Sequence, residues 1–181
     1  MAKLHKLSSL TLVESVCGCS RCQSFCRHRP CWPTPDEVRK LIDAGHAERL
    51  MIDWWGGNSF RGEFTDIPIL CPAGVGHEKD DADEGDMFLM RPPRMKCVMF
   101  KGGLCALHDT GMKPVEGRCT SCKESESDSK LHGAVADSWN NPDALGLVWQ
   151  WMKQVDYRGK YRDEVEAWAK ENEPQHHLTV L

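Results

Sequence analysis

Apolar residues fall at helical spacing in three stretches of the chain. After Thr34, the residues Val38, Leu41 and Ile42 are three and four positions apart, the spacing that lines one face of a helix. Thr34 suits an N-cap, Pro35 suits the first helical position, and Glu37 completes a capping box. The pattern predicts a helix from Pro35 to about Leu50, weakened at its centre by Gly45. Near the C-terminus, Asn141 followed by Pro142 gives a second cap, and Leu145, Val148, Trp149, Met152 and Val155 mark an apolar face. A third helix follows Gly159, with Tyr161, Val165 and Trp168 on one side, and residues 172–181 read as a frayed end.

Strand signals are weaker. Residues 53–70 read as a loop followed by a short strand. The apolar runs 95–100 and 104–108 flank Lys101-Gly102-Gly103, which predicts a β-hairpin that brings Cys97 and Cys105 together. Residues 78–86 are acidic and do not fit a calcium-binding loop, so a solvated loop is expected. Residues 123–137 are polar and predict a loop. The sum is a small α+β domain spanning 1–181, with a cysteine-rich core at about 17–122 and a C-terminal helical part at about 138–171.

Composition narrows the function classes. The 181 residues suffice for one domain with its own core. A net charge of −4 supplies no global field for nucleic acid or an anionic membrane, and both partners are expected to be absent. No apolar run is long enough to span a bilayer. The first residues lack the apolar core of a secretory signal, which points to the cytoplasm. In a reducing compartment, ten cysteines favour metal ligation over a disulfide framework.

The cysteines form two groups. Cys17, Cys19, Cys22, Cys26 and Cys31 fall within fifteen residues, and Cys97, Cys105, Cys119 and Cys122 follow later. Thiolates are soft ligands that select zinc or iron–sulfur iron. The pairs Cys19–Cys22 and Cys119–Cys122 both have C-x2-C spacing, with 96 residues between them. That distance excludes a local zinc ribbon and makes any shared metal a tie between distant segments. Spacing leaves open whether one site or two are present. Cys71, in the apolar run Ile69-Leu70-Cys71-Pro72, is at least as well explained as a buried core cysteine.

At these residues the chain resembles the CxxCxxCC family of zinc- or iron-chelating domains. Members carry a C-x2-C-G-x-C-C cluster, then a Thr-x-x-Asp/Glu helix start. Later come a Cys-Phe-Leu-like strand, a Cys-Ser-Ile-Tyr-like strand and an Arg-Pro-x-x-Cys-like segment. Here Cys19, Cys22 and Cys26 stand in the first cluster and Thr34 at the helix start. Cys97, the run around Cys105, and the segment from Lys113 to Cys119 match the rest. The family's adjacent Cys-Cys pair is replaced by Phe25-Cys26, and Cys17, Cys31, Cys71 and Cys122 are extra or shifted. The resemblance covers about residues 17–122, with 50–95 variable.

The resemblance implies a ligand set drawn from Cys19, Cys22, Cys26, Cys97, Cys105 and Cys119, with Cys17, Cys31 and Cys122 able to supply a shifted ligand. It implies a [4Fe–4S] cluster ahead of Zn2+, because some relatives, including flagellin lysine methylating enzymes, hold such a cluster. Irregular spacing and many thiolates agree with that order. The function expected is cluster binding with a structural or redox role. The alternatives are a zinc-binding structural or adaptor protein, or a cluster-dependent modifying enzyme or oxidoreductase.

Other residues change the picture less. Arg21, Arg27, His28 and Arg29 surround the first cysteines, where positive charge would lower thiol pKa values. His108, a lone histidine after a strand, reads first as a hydrogen-bonded surface or core residue and second as a replacement for a cysteine ligand, while His176 and His177 read as a tail. The seven tryptophans are expected to serve the core and helix packing, with a pocket or partner surface as the alternative for Trp54-Trp55, and the helices around Trp149 and Trp168 are the candidate docking face for a protein partner. No nucleophile–base pair, carboxylate pair or phosphate loop stands out, so no catalytic residue is assigned.

Overall fold

The computed structural model describes residues 7–12, 14, 18–29, 31–58, 64–81, 96–119, 126–159 and 162–172. The fold is α+β. Its centre is an antiparallel hairpin of two nine-residue strands, β1 (Leu50–Asn58) and β2 (Phe64–Pro72). The register pairs Leu50 with Pro72, Ile52 with Leu70 and Trp54 with Pro68. Sequence reading placed a loop and one short strand here. The hairpin escaped it because Leu50, Met51, Ile52, Ile69, Leu70 and Cys71 are all buried. With both faces covered, the apolar–polar alternation that marks a half-buried strand is erased. Gly56, Gly57 and Pro68 further disguise the strands, although a two-stranded sheet leaves an edge that tolerates proline.

The free edge of β1 is covered by residues 79–81. Ile52 N–H donates to the Asp80 carbonyl at 3.0 Å, and Lys79 N–H donates to the Leu50 carbonyl at 2.8 Å. This segment is therefore not the solvated acidic loop expected. Asp81 is buried and accepts a hydrogen bond from the Tyr157 hydroxyl. Residues 82–86 lie outside the described residues.

The described residues include six α-helices, of which α2, α4 and α5 pack on β2. α1 (Ser20–His28) forms from most of the first cysteine segment. α2 (Pro35–Leu41) starts with the full capping box: Thr34 Oγ1 accepts from Glu37 N–H, and Glu37 accepts from Thr34 N–H. It stops well before Leu50. Gly45 takes a left-handed φ of 82°, and the chain passes through wide and tight turns into β1. Glycine there ends the helix rather than weakening it, because other residues resist that conformation.

The second hairpin is shorter than expected, with β3 (Phe100–Lys101) and β4 (Leu104–Cys105) of two residues each. Its turn is the two residues Gly102 and Gly103, both at positive φ, the conformation that favours tight hairpins. α3 (Val115–Cys119) follows.

α4 (Glu126–Trp139) occupies most of the stretch read as a polar loop. Leu131, Ala134, Val135, Ala136 and Trp139 are its buried positions. Three of those five are alanine or valine, and Gly133 interrupts them, so the helical signal in the sequence is faint. The C-terminal helical part thus begins at Glu126.

α5 (Pro142–Gln154) is capped by Asn141, which accepts from Ala144 N–H at 3.0 Å. Leu145, Leu147, Val148, Trp151, Met152 and Val155 are buried. Trp149, read as a core position, is half-buried, with the Lys153 ammonium 5.2 Å from its ring centre. α6 (Arg162–Asn172) buries Val165. Tyr161, the Trp168 side chain and residues 173–181 lie outside what is described. No helix among the described residues is long and apolar enough to cross a membrane.

Two buried indoles pin these helices to the centre. Trp139 donates to the Pro33 carbonyl at 2.8 Å, and Trp151 donates to the Ala47 carbonyl at 2.9 Å. Trp151 also packs edge-on against Tyr157. Trp151→Ala should therefore destabilise by about 3–5 kcal/mol, the range for a large buried aromatic. Urea unfolding should show Trp149→Ala costing clearly less; equal losses would contradict the burial difference.

Candidate metal centre

Four of the candidate ligands lie in regular elements: Cys22 and Cys26 in α1, Cys105 in β4 and Cys119 in α3. Cys19 is the N-cap of α1 and is exposed, while Cys22 and Cys26 lie one turn apart on that helix, buried and half-buried. A separation of four residues puts the latter two on one helical face. The C-terminus of α1 meets the second group directly: Arg27's carbonyl accepts from Cys97 N–H at 2.8 Å. α1 also packs on β4, which carries Cys105.

Cys97 and Cys105 occupy similar local turns. Cys97 Sγ accepts from Met99 N–H, and Cys105 Sγ accepts from Leu107 N–H. Each donor lies two residues beyond its cysteine. Ala106 N–H donates to the Met99 carbonyl at 2.7 Å, joining the two turns. Such donors favour the thiolate over the thiol. Met99 and Leu107 are themselves buried, which holds both turns in place.

Cys31 approaches from a third direction. Its Sγ would lie 2.7 Å from a Cβ built at Gly117. Glycine at this position of α3 therefore makes room for the thiol. Cys71, on β2, is fully buried. The strand places it near Cys97, because Ala73's carbonyl accepts from Val98 N–H and Gly74 bridges to Cys97.

The thiols act on one another. After burial, the Glu116 carboxylate and then Cys97, Cys105 and Cys26 raise the Cys31 pKa, and Asp53 and then Cys97, Cys31 and Glu116 raise that of Cys71. Burial is the larger cause in every case. It lifts Cys31 and Cys71 well above the ordinary thiol value, Cys97 to about 11, and Cys105 upward. Arg49 opposes the rise at Cys97 and Cys105, and Lys113 opposes it at Cys105. Arg49 is anchored to this region by its hydrogen bond to the Val98 carbonyl at 2.6 Å. These two cations were not singled out in the sequence. Of those that were, Arg21 and Arg29 flank the Phe25 ring.

Thus Cys26, Cys31, Cys97 and Cys105, from separate segments, lie near enough for their charges to act on one another, and Cys71 is influenced by Cys31 and Cys97 in the same way. Cys119 ends α3 and is half-buried, His108 is exposed, and Cys17 and Cys122 lie outside the described residues. The eight described cysteines are free thiols. Among the described residues, no three His, Cys, Asp or Glu side chains converge closely enough to hold a metal ion as they are placed. The donor chemistry nevertheless suits a soft metal: several thiols share one region, and two of them already accept backbone N–H bonds.

A second polar group borders the thiols. Asp53 on β1 is buried and accepts from the Trp32 indole at 2.6 Å and from Trp54 N–H at 2.8 Å. Trp32 stacks on His132, with ring centres 4.1 Å apart, and Trp55 meets both rings edge-on. Glu116 accepts from Trp32 N–H and contacts His132 Nδ1. Asp53, Glu116 and His132 gave no signal in the sequence, since their partners are remote along the chain. No protein-family model, curated protein or solved structure matches this chain.

Burial pushes the Asp53 carboxyl up to about 6, against the opposing pull of its two hydrogen bonds. A folded-state value above the unfolded one means that the folded protein holds the extra proton between about pH 4 and 6. Stability contributed by this group is therefore present below that window and lost as pH rises through it. The loss should approach about 3 kcal/mol. Asp53→Asn should remove this part of the pH dependence in urea titrations; an unchanged slope would contradict it.

Proposed function

We propose that the chain is a metal-binding protein that holds an iron–sulfur cluster through cysteine thiolates, in a structural or redox role. The observation that carries this reading is that Cys26, Cys31, Cys97 and Cys105 lie near enough for their charges to act on one another, beside two turns whose N–H groups donate to the sulfurs of Cys97 and Cys105. Four thiolates are the complement that a [4Fe–4S] cluster needs. The same donors would serve Zn2+, which is the alternative occupant. Cys19, Cys22 and Cys119, which the family pattern places in the main ligand set, are the further candidate ligands.

The chain's own part is to present the sulfurs, exclude water from them and offset their charge through Arg49 and Lys113. Because burial favours the thiol form, metal loading must displace protons. When bound, an iron–sulfur cluster supplies one-electron transfer, and zinc supplies folding free energy. A reducing compartment such as the cytoplasm would keep the thiols available.

Anaerobic purification followed by iron, zinc and acid-labile sulfide analysis tests the reading. Iron and sulfide in matching amounts are expected, and zinc without sulfide would select the alternative. Cys31→Ser, Cys97→Ser and Cys105→Ser should each lower metal content and melting temperature. Full metal content in all three variants, or no metal in the unaltered protein, would overturn the proposal.

A further inference from the structure

We infer that Glu116 and His132 are positioning residues that fix Cys31 for the metal. The inference rests on the metal-binding reading. Cys31 lies outside any helix or strand, so no regular element holds its backbone. The peptide N–H that follows it, on Trp32, donates to Glu116 Oε2. The other carboxylate oxygen, Oε1, meets His132 Nδ1. The His132 ring then stacks on Trp32 with planes 21° apart. Trp32's indole is held in turn by Asp53. The group therefore closes on itself: carboxylate to peptide, carboxylate to imidazole, imidazole to indole.

The same short helix that carries Glu116 also carries Gly117, whose missing side chain admits the Cys31 thiol. One turn of α3 thus fixes both the backbone beside Cys31 and the space for its sulfur. A half-buried carboxylate with both oxygens engaged holds its position far better than one in water. Outer hydrogen bonds of this kind orient ligands at metal sites, and losing one typically costs about 10–100-fold in metal affinity.

Cobalt(II) provides a direct readout, since thiolate ligation gives it an intense charge-transfer absorption. The anaerobic apoprotein and its variants are loaded with Co2+ and challenged with excess EDTA. His132→Phe keeps a ring for stacking but loses Nδ1, and Glu116→Ala removes the carboxylate. Both should release cobalt about 10–100-fold faster than the unaltered protein. Glu116→Gln keeps an acceptor for Trp32 N–H and should restore much of the slow release.

Val165→Ala, a core truncation on α6, serves as the stability control and should leave release unchanged. Native-like release from folded His132→Phe and Glu116→Ala would overturn the inference alone. So would equally fast release from Val165→Ala, because the effect would then be general loosening. Absence of the charge-transfer band in the unaltered protein would overturn the metal reading and this inference with it.

Discussion

Residues 31–34 form no regular structure, yet the fold is built around their hydrogen bonds. Trp32 N–H goes to Glu116 on α3, the Pro33 carbonyl to the Trp139 indole on α4, and Thr34 N–H to Glu37 on α2. The Trp32 indole goes to Asp53 on β1. Backbone groups taken from water need partners, and here side chains from three helices supply them. Pro33 and Pro35 keep the segment extended by restricting the residues before them. Helices α2, α3 and α4 and the central hairpin are consequently fixed to one short strip of chain, and Cys31 stands at its start.

Glu37 extends this constraint. One of its oxygens closes the capping box of α2, while the other accepts from Val115 N–H at 2.9 Å and from Arg118 at 3.1 Å. The residue that starts α2 therefore also holds the start of α3. Arg118 reaches on to Glu14, a more exposed contact of the kind that contributes little stability. The thiols enter the same framework through α3, where Gly117 admits Cys31, and through α1, whose last turn accepts from Cys97 N–H. Structural support and candidate chemistry are thus carried by the same residues.

Legibility in the sequence followed the range of each interaction. The caps at Thr34 and Asn141 were plain because donor and acceptor are three residues apart. Glu37's second role was hidden because Val115 lies 78 residues away. The central hairpin was hidden by burial on both faces, and α4 by its small core residues. The proximity of Cys97 and Cys105 was readable from the glycine turn between them. The approach of Cys31 to that pair depends on α3, and the approach of Cys71 on the bridge at Gly74, neither of which leaves a local pattern. Trp149 and Trp151 differ by only two positions on α5, yet only the packing of the helix separates the half-buried indole from the fully buried one.

The account turns on whether these thiols bind a metal directly. X-ray absorption at the metal edge of the anaerobically loaded protein tests that without substitution. The account predicts a first shell made of sulfur alone, at about 2.3 Å for zinc, with an added iron–iron vector if a cluster is present. A first shell dominated by nitrogen or oxygen would place the metal elsewhere and contradict it.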